Sequence, residues 1–347
     1  MQRLRALVHG TVLLLIVGWL LHVGKAILVP AVLGAVIVYV IVGLAHALGR
    51  LPGLGRALPL QLRYLFSMLA IGLVFFALAY LVMANKERAL ALAPQYQESL
   101  LAAIQRVAVF FGFETEPTWA TLRQELMAQI NLQRLLTSLM ASVGSILVTF
   151  VVVFLYATFL LLERSVFETK LANLSDDPMR VARIRQVIEA INRRIGSYLA
   201  LKTLLSIALG AASWVVMALF GLEFAVLWAV LIACLNFVPY IGSVLGVVVP
   251  VLMTIVQFES LATVLWMLLA LSALQFVIGN FLDPFVMGNS LNLSPFAILI
   301  SLAVWSELWG ITGAFLAVPI TAILTIVFSE FTGTRPIAVL LSKSGRL

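Results

Sequence analysis

Residues 224–258 read FAVLWAVLIACLNFVPYIGSVLGVVVPVLMTIVQF. A helix needs about 20 apolar residues to cross a bilayer, and this run is longer than one crossing requires. It is interrupted at Asn236-Phe237-Val238-Pro239-Tyr240-Ile241-Gly242. Proline removes a backbone donor and glycine relaxes the helix, so the run breaks in its middle. Broken backbone at membrane depth is tolerated only where protein or a water-filled cavity covers it. A second run, Phe296–Phe331, breaks at Trp309-Gly310-Ile311-Thr312-Gly313. The plainer alternative for both is a helix kink or close packing at small residues.

The two runs echo each other. One begins Phe224-Ala-Val-Leu and the other Phe296-Ala-Ile-Leu. After the breaks, 242–256 and 313–327 align without a gap, with identities at Gly242/Gly313, Leu245/Leu316, Val247/Val318, Thr254/Thr325, Ile255/Ile326 and Val256/Val327. If each run is one kinked crossing, the chain makes eight crossings. If each folds back, it makes six crossings and carries two re-entrant elements. That second case is an inverted repeat, a common transporter plan.

Working outward, the rest of the chain agrees. Of 347 residues, 63% are hydrophobic and 11% charged, against roughly 45–50% and about 25% in soluble domains. The fold class is therefore all-α, a polytopic transmembrane bundle of about eight membrane segments, two of them broken or re-entrant. A β-barrel would show short alternating segments instead. The net charge of +7 reads as cationic loops that fix topology rather than as a nucleic-acid surface. Cys234 is the one cysteine, and no metal site or cofactor is expected. No G-x-x-x-x-G-K-[ST], H-E-x-x-H or G-x-S-x-G occurs, so an enzyme is not expected.

Charge places the parts. Arg3, Arg5, Arg50, Arg56 and Arg63 put the N-terminus and the first loop in the cytoplasm, and the basic tail puts the C-terminus there too. Residues 1–84 hold three transmembrane helices, and 85–141 an extracytoplasmic helical insertion with helix starts at Pro94 and Pro117. Residues 142–163 return inward. Residues 164–197 form a cytoplasmic linker, 198–331 the broken C-terminal core, and 332–347 the tail. Within the linker, Val181, Ile184, Ile188, Ile191 and Ile195 recur at spacings of three and four, the narrow stripe of a coiled-coil seam. That stripe suits a subunit contact, packing on its own bundle, or a helix lying on anionic headgroups.

The candidate path residues are Asn236, Pro239, Tyr240, Gly242, Asn280, Asp283, Glu307, Gly310 and Gly313. Glu307 lies inside an apolar run between Trp305 and Trp309. A carboxylate there is a proton-relay or cation-coordinating candidate, or an interfacial residue beside two tryptophans. Asn236 suits a solute donor or a half-helix cap. Asn280 suits bridging between helices. Asp283-Pro284 is expected to end the helix over 261–282. Arg193, Arg194 and Lys202 suit topology anchors or attraction of an anionic solute.

Several of these motifs occur together. Leu235-Asn236-Phe237-Val238-Pro239-Tyr240-Ile241-Gly242 with Pro250, Asn280-x-x-Asp283-Pro284, Gly288, Ser294-Pro295 and Trp305-x-Glu307-x-x-Gly310-x-x-Gly313 with Pro319 resemble the autoinducer-2 exporter family of bacterial membrane permeases. The likeness is strongest over 193–331 and general in the first 140 residues. It implies a homo-oligomeric permease, a pentamer among the options, in the lipid bilayer of a bacterial inner membrane. Its substrate would be a small molecule or a cation, exported by a secondary or passive mechanism. Members are associated with autoinducer-2 export and others with sodium–proton or cation–proton exchange. The residues also leave open a non-transporting scaffold assembled through the 178–198 helix.

Overall fold

The computed structural model describes residues 2–50, 58–110, 132–258, 260–287 and 291–346. Arg56, the helix start at Pro117 and Gly288 lie outside them. The helices are α1 (Gln2–Val23), α2 (Lys25–Gly49), α3 (Leu60–Ala84), α4 (Lys86–Phe110), α5 (Leu132–Ala172) and α6 (Pro178–Leu219). They continue with α7 (Ala225–Leu235), α8 (Ile241–Gln257), α9 (Leu261–Val277), α10 (Asp283–Met287), α11 (Pro295–Glu330) and α12 (Arg335–Leu341).

Four boundaries differ from the sequence expectation. The helix start expected at Pro94 lies inside α4, which begins at Lys86. The helix expected over 142–163 is the middle of α5, which runs on to Ala172. The amphipathic linker and the next crossing are one 42-residue helix, α6. Nothing between Ile195 and Leu199 breaks helical geometry, because the change there is of solvent and not of backbone. Asp283-Pro284 does not end the helix begun at Leu261. A π-turn at Ile278–Leu282 carries α9 into α10, and the Asp283 N–H reaches back to the Ile278 carbonyl. A proline ring clashes with the carbonyl four residues before it, here that of Asn280, and a widened turn makes room for Pro284.

The chain forms two compact units, Met1–Met68 with Thr149–Thr203 and Met287–Leu347, and Leu69–Val148 with Leu204–Val286. In the first, Ile195, Tyr198, Leu199, Leu293, Val318 and Ala322 make a buried cluster. There α2 meets α5 at Gly34, where an added Cβ would lie 2.8 Å from Tyr156 Cβ. In the second, the core includes Leu209, Met217, Ile232, Val251, Met267 and Leu271.

Burial separates the roles of the long apolar helices. The apolar window of α3 is 6% buried, whereas that of α11 is 56% buried. Outer helices of a bilayer protein present leucine and phenylalanine to lipid without cost, so a low figure is expected of them. The helix α11 is core.

Candidate functional site: two helical hairpins

Both interrupted runs fold back on themselves. In the second unit, α7 ends at Leu235 and α8 begins at Ile241. The five residues between make a tight reversal closed by Val238 N–H to Leu235 O at 2.8 Å and Gly242 N–H to Val238 O at 3.0 Å. Tyr240 sits at φ 62°, ψ −59°, and the Ile241 N–H donates to the Pro239 carbonyl across it at 2.7 Å. That is a γ-turn of the positive-φ kind, which is rare and strained. It is held by a non-glycine residue whose side chain is half exposed. The arms then touch at Gly242, where a Cβ would stand 1.8 Å from the Leu235 carbonyl oxygen. Only glycine fits that approach.

In the first unit, α11 is broken at Gly310, whose φ 63°, ψ −143° is non-helical. Trp305 Nε1 donates to Thr321 Oγ1 at 3.2 Å, 16 residues on. In a straight helix those residues would stand about 24 Å apart, beyond the reach of an indole. The 36 residues are therefore two arms, 295–309 and 311–330, folded together. They meet at Gly313, where a Cβ would lie 1.8 Å from the Trp305 carbonyl oxygen. Ser294 caps the first arm, accepting from Ala297 N–H at 3.1 Å, with Pro295 in the first turn.

The aligned residues of the two runs do the same work. Gly242 and Gly313 each receive a carbonyl from the first arm. Thr254 Oγ1 donates to the Pro250 carbonyl at 2.9 Å, and Thr325 Oγ1 to the Thr321 carbonyl at 2.8 Å. Both threonines are buried. Back-bonding of this kind satisfies a hydroxyl in an apolar setting without a tertiary partner.

The other predicted site residues fall at defined places. Asn236 ends α7, and its Nδ2 donates to Ser206 Oγ of α6 at 3.0 Å. Asn280 lies in the π-turn and donates to the Phe276 carbonyl at 3.1 Å. Asp283 follows it at the head of α10. Glu307 is exposed on the first arm of α11. Two residues turn a helix by about 200°, so Glu307 points away from the face of Trp305 and Trp309. Those rings pack at 5.2 Å, and Trp309 Nε1 donates to the Leu21 carbonyl at 3.0 Å. The tryptophans fasten the hairpin while the carboxylate looks out from it. Along the α6 stripe, Ile195 is in the core and Ile191 packs against it, while Val181, Ile184 and Ile188 are partly exposed.

Each hairpin is also held at its base, which the sequence reading did not see. In the second unit, Arg88 and Tyr96 of α4 both reach Glu223, just before α7; the Arg88 contact is 2.8 Å. Arg88 also lies over the Phe224 ring at 5.9 Å. Gln257, at the end of α8, accepts from Glu223 N–H at 2.7 Å and donates to the Gly221 carbonyl at 2.9 Å. Burial, then the hydrogen bond to Glu223 and that carboxylate's charge, push the Tyr96 hydroxyl above the usual tyrosine range, against the pull of Arg88. In the first unit the strap to the tail is backbone. Ser294 N–H donates to the Leu341 carbonyl at 2.9 Å and Lys343 N–H to the Asn292 carbonyl at 3.0 Å. Glu223 and Tyr96 gave no sequence signal, because they lie 127 residues apart.

Known proteins share this chain's pattern. The family described as AI-2E family transporter matches residues 10–333. The AI-2 transport protein TqsA of Escherichia coli K12 is 32% identical over 273 residues, 76% of each chain. A protein of Borreliella burgdorferi described as a putative transport protein is 37% identical over 195 residues, 56% of this chain and 54% of that one, so the chain spans about half the length of that relative. The putative permease PerM of Escherichia coli K12 is 30% identical over 143 residues, 41% of this chain and 40% of that one. With six helices long and apolar enough to cross a membrane among the described residues, and a family match over nearly its whole length, this chain belongs to the AI-2E family of multi-pass membrane transporters.

Proposed function

We propose that the protein exports a small solute, such as a signalling molecule of the autoinducer-2 type, across the bacterial inner membrane by a secondary or passive mechanism. The observation that carries the reading is the pair of folded-back hairpins. Each ends in non-helical backbone at Tyr240 or Gly310, and such backbone inside hydrocarbon needs protein or water over it. The name of the relative described as an AI-2 transport protein supports the solute class. Both termini are cytoplasmic in this reading. The first hairpin opens outward, being tied to α4 of the extracytoplasmic insertion. The second opens inward, its last residue Glu330 being held by Arg183 of the cytoplasmic part of α6 at 3.3 Å. Self-association through the exposed end of the α6 stripe completes the proposal, and cross-linking in native membranes counts the subunits.

A second reading is exchange of sodium or lithium for protons at Glu307, favoured by its exposed place three residues before the Gly310 tip. Proteoliposome flux separates the two. A cation gradient is imposed and internal pH followed, with wild type and Glu307→Gln. Proton movement that disappears in the variant supports exchange. Its absence in correctly inserted wild type sinks exchange, and uptake of labelled autoinducer-2 into inverted vesicles then tests the export reading directly.

A further inference from the structure

At the base of the second hairpin lies a cavity of about 550 Å³, within the usual range for small-molecule sites. It is lined by α6, the loop before α11, the end of α11 and the first residue of α12. Three guanidinium groups border it, those of Arg193, Arg194 and Arg335, together with the carboxylates of Glu189 and Glu330.

The pairing of these charges is uneven. Arg180, Arg183 and Arg185, earlier on α6, each pair with a carboxylate: Asp177, Glu330 and Glu168. Arg183 thus takes up Glu330 from outside the cavity lining, through both its carboxylate and its carbonyl oxygen. Arg193, Arg194 and Arg335 make no ion pair among the described residues. The cavity is left with three unneutralised cations against one acid, Glu189. Guanidinium forks match phosphate oxygens in pairs and stay charged at any physiological pH. The hydroxyl of Ser329 adds a neutral group at the wall.

We propose that this cavity is an anion site that takes a phosphate group, carried by a small soluble molecule or by an anionic lipid headgroup. Occupancy would join α6, the second arm of α11 and α12 through one ligand. The site is separate from the hairpin tips and does not depend on which solute the protein moves.

The test uses the full chain in nanodiscs of zwitterionic lipid, with inorganic phosphate and glycerol phosphate as titrants in calorimetry. Saturable binding is expected. The double variant Arg193→Gln, Arg194→Gln should weaken it by about tenfold or more, the loss of charge-assisted hydrogen bonds. Glu189→Gln should tighten it several-fold by removing the opposing charge. These side chains are exposed, so the variants keep the fold, and an unchanged melting temperature verifies this. Native mass spectrometry after reconstitution with phosphatidylglycerol assigns the source. Lipid retained by wild type and lost in the double variant, without binding of the soluble titrants, makes the ligand a headgroup. Absence of both, or binding indifferent to the arginines and to Glu189, overturns the proposal.

Discussion

The two hairpins share a plan and differ in how the plan is held. Both cross arm against arm at a glycine, Gly242 or Gly313, with the same clearance to a carbonyl oxygen. At the tip they part. The first turns on Tyr240, a non-glycine residue forced to positive φ; the second turns on Gly310. At the base they part again. The first is fastened by side chains, the Arg88–Glu223–Tyr96 set and Gln257. The second is fastened by backbone bonds to the tail as well as by the Arg183–Glu330 pair. Strain persists only where surrounding structure over-determines it, and it gathers at sites that must move. The first hairpin therefore combines a tip that stores strain with a base held by side chains alone, while the second has a glycine tip and a base with backbone bonds that salt does not loosen. It is the first hairpin that we expect to change shape more readily.

The largest effect should come from erasing what the hairpins share. Gly242→Ala and Gly313→Ala each drive a methyl into a carbonyl oxygen, and each should cost about 3 kcal/mol as the arms are forced apart. Thermal unfolding of the purified variants measures it. A loss at one glycine but not the other would break the equivalence of the hairpins.

Next come the tips, where the sign should reverse. Gly310 occupies backbone space that is essentially glycine-only, so Gly310→Ala should destabilise by about 1–3 kcal/mol. Tyr240→Gly removes strain of the same order and should leave stability level or raised while altering transport. Tyr240→Gly with lower stability and unchanged flux would show that the γ-turn is not strained in the way argued.

The bases should differ more gently. Glu223→Gln should reduce stability by about 1 kcal/mol, since Arg88 is largely exposed and exposed pairs are weak. The wild-type clasp should loosen with added salt, whereas a chain truncated before Arg335 should lose the backbone strap of the second hairpin, a loss that salt does not change, and keep only the Arg183–Glu330 pair. Differential scanning at two ionic strengths reads both.

The smallest effect is alkaline. The Tyr96 hydroxyl is raised, so its contribution to stability is complete below the ordinary tyrosine value of about pH 10 and fades only as pH rises through its higher folded value. Ultraviolet titrations of wild type and Tyr96→Phe should differ by one tyrosine that ionises late.

Much of this was legible in the linear chain. Hydropathy and length yield a helical membrane protein, the paired breaks point to special segments, and the echo of 242–256 in 313–327 is matched by Gly242/Gly313 and Thr254/Thr325 acting alike. Less legible was where helices end. Asp283-Pro284 reads as a stop, yet a π-turn absorbs the proline. The linker and crossing of α6 read as two elements, yet one helix carries both.

The sequence by itself determined the solvent of this protein and the places where its helices must break, because burial length and missing backbone donors are local properties. It did not determine whether a broken run crosses or turns back, since both keep the same charges on the same sides. Tertiary contact decided that. A tryptophan bonds a threonine 16 residues on, and a carbonyl seats against a glycine that has no Cβ to exclude it. These contacts exist only once the arms have met.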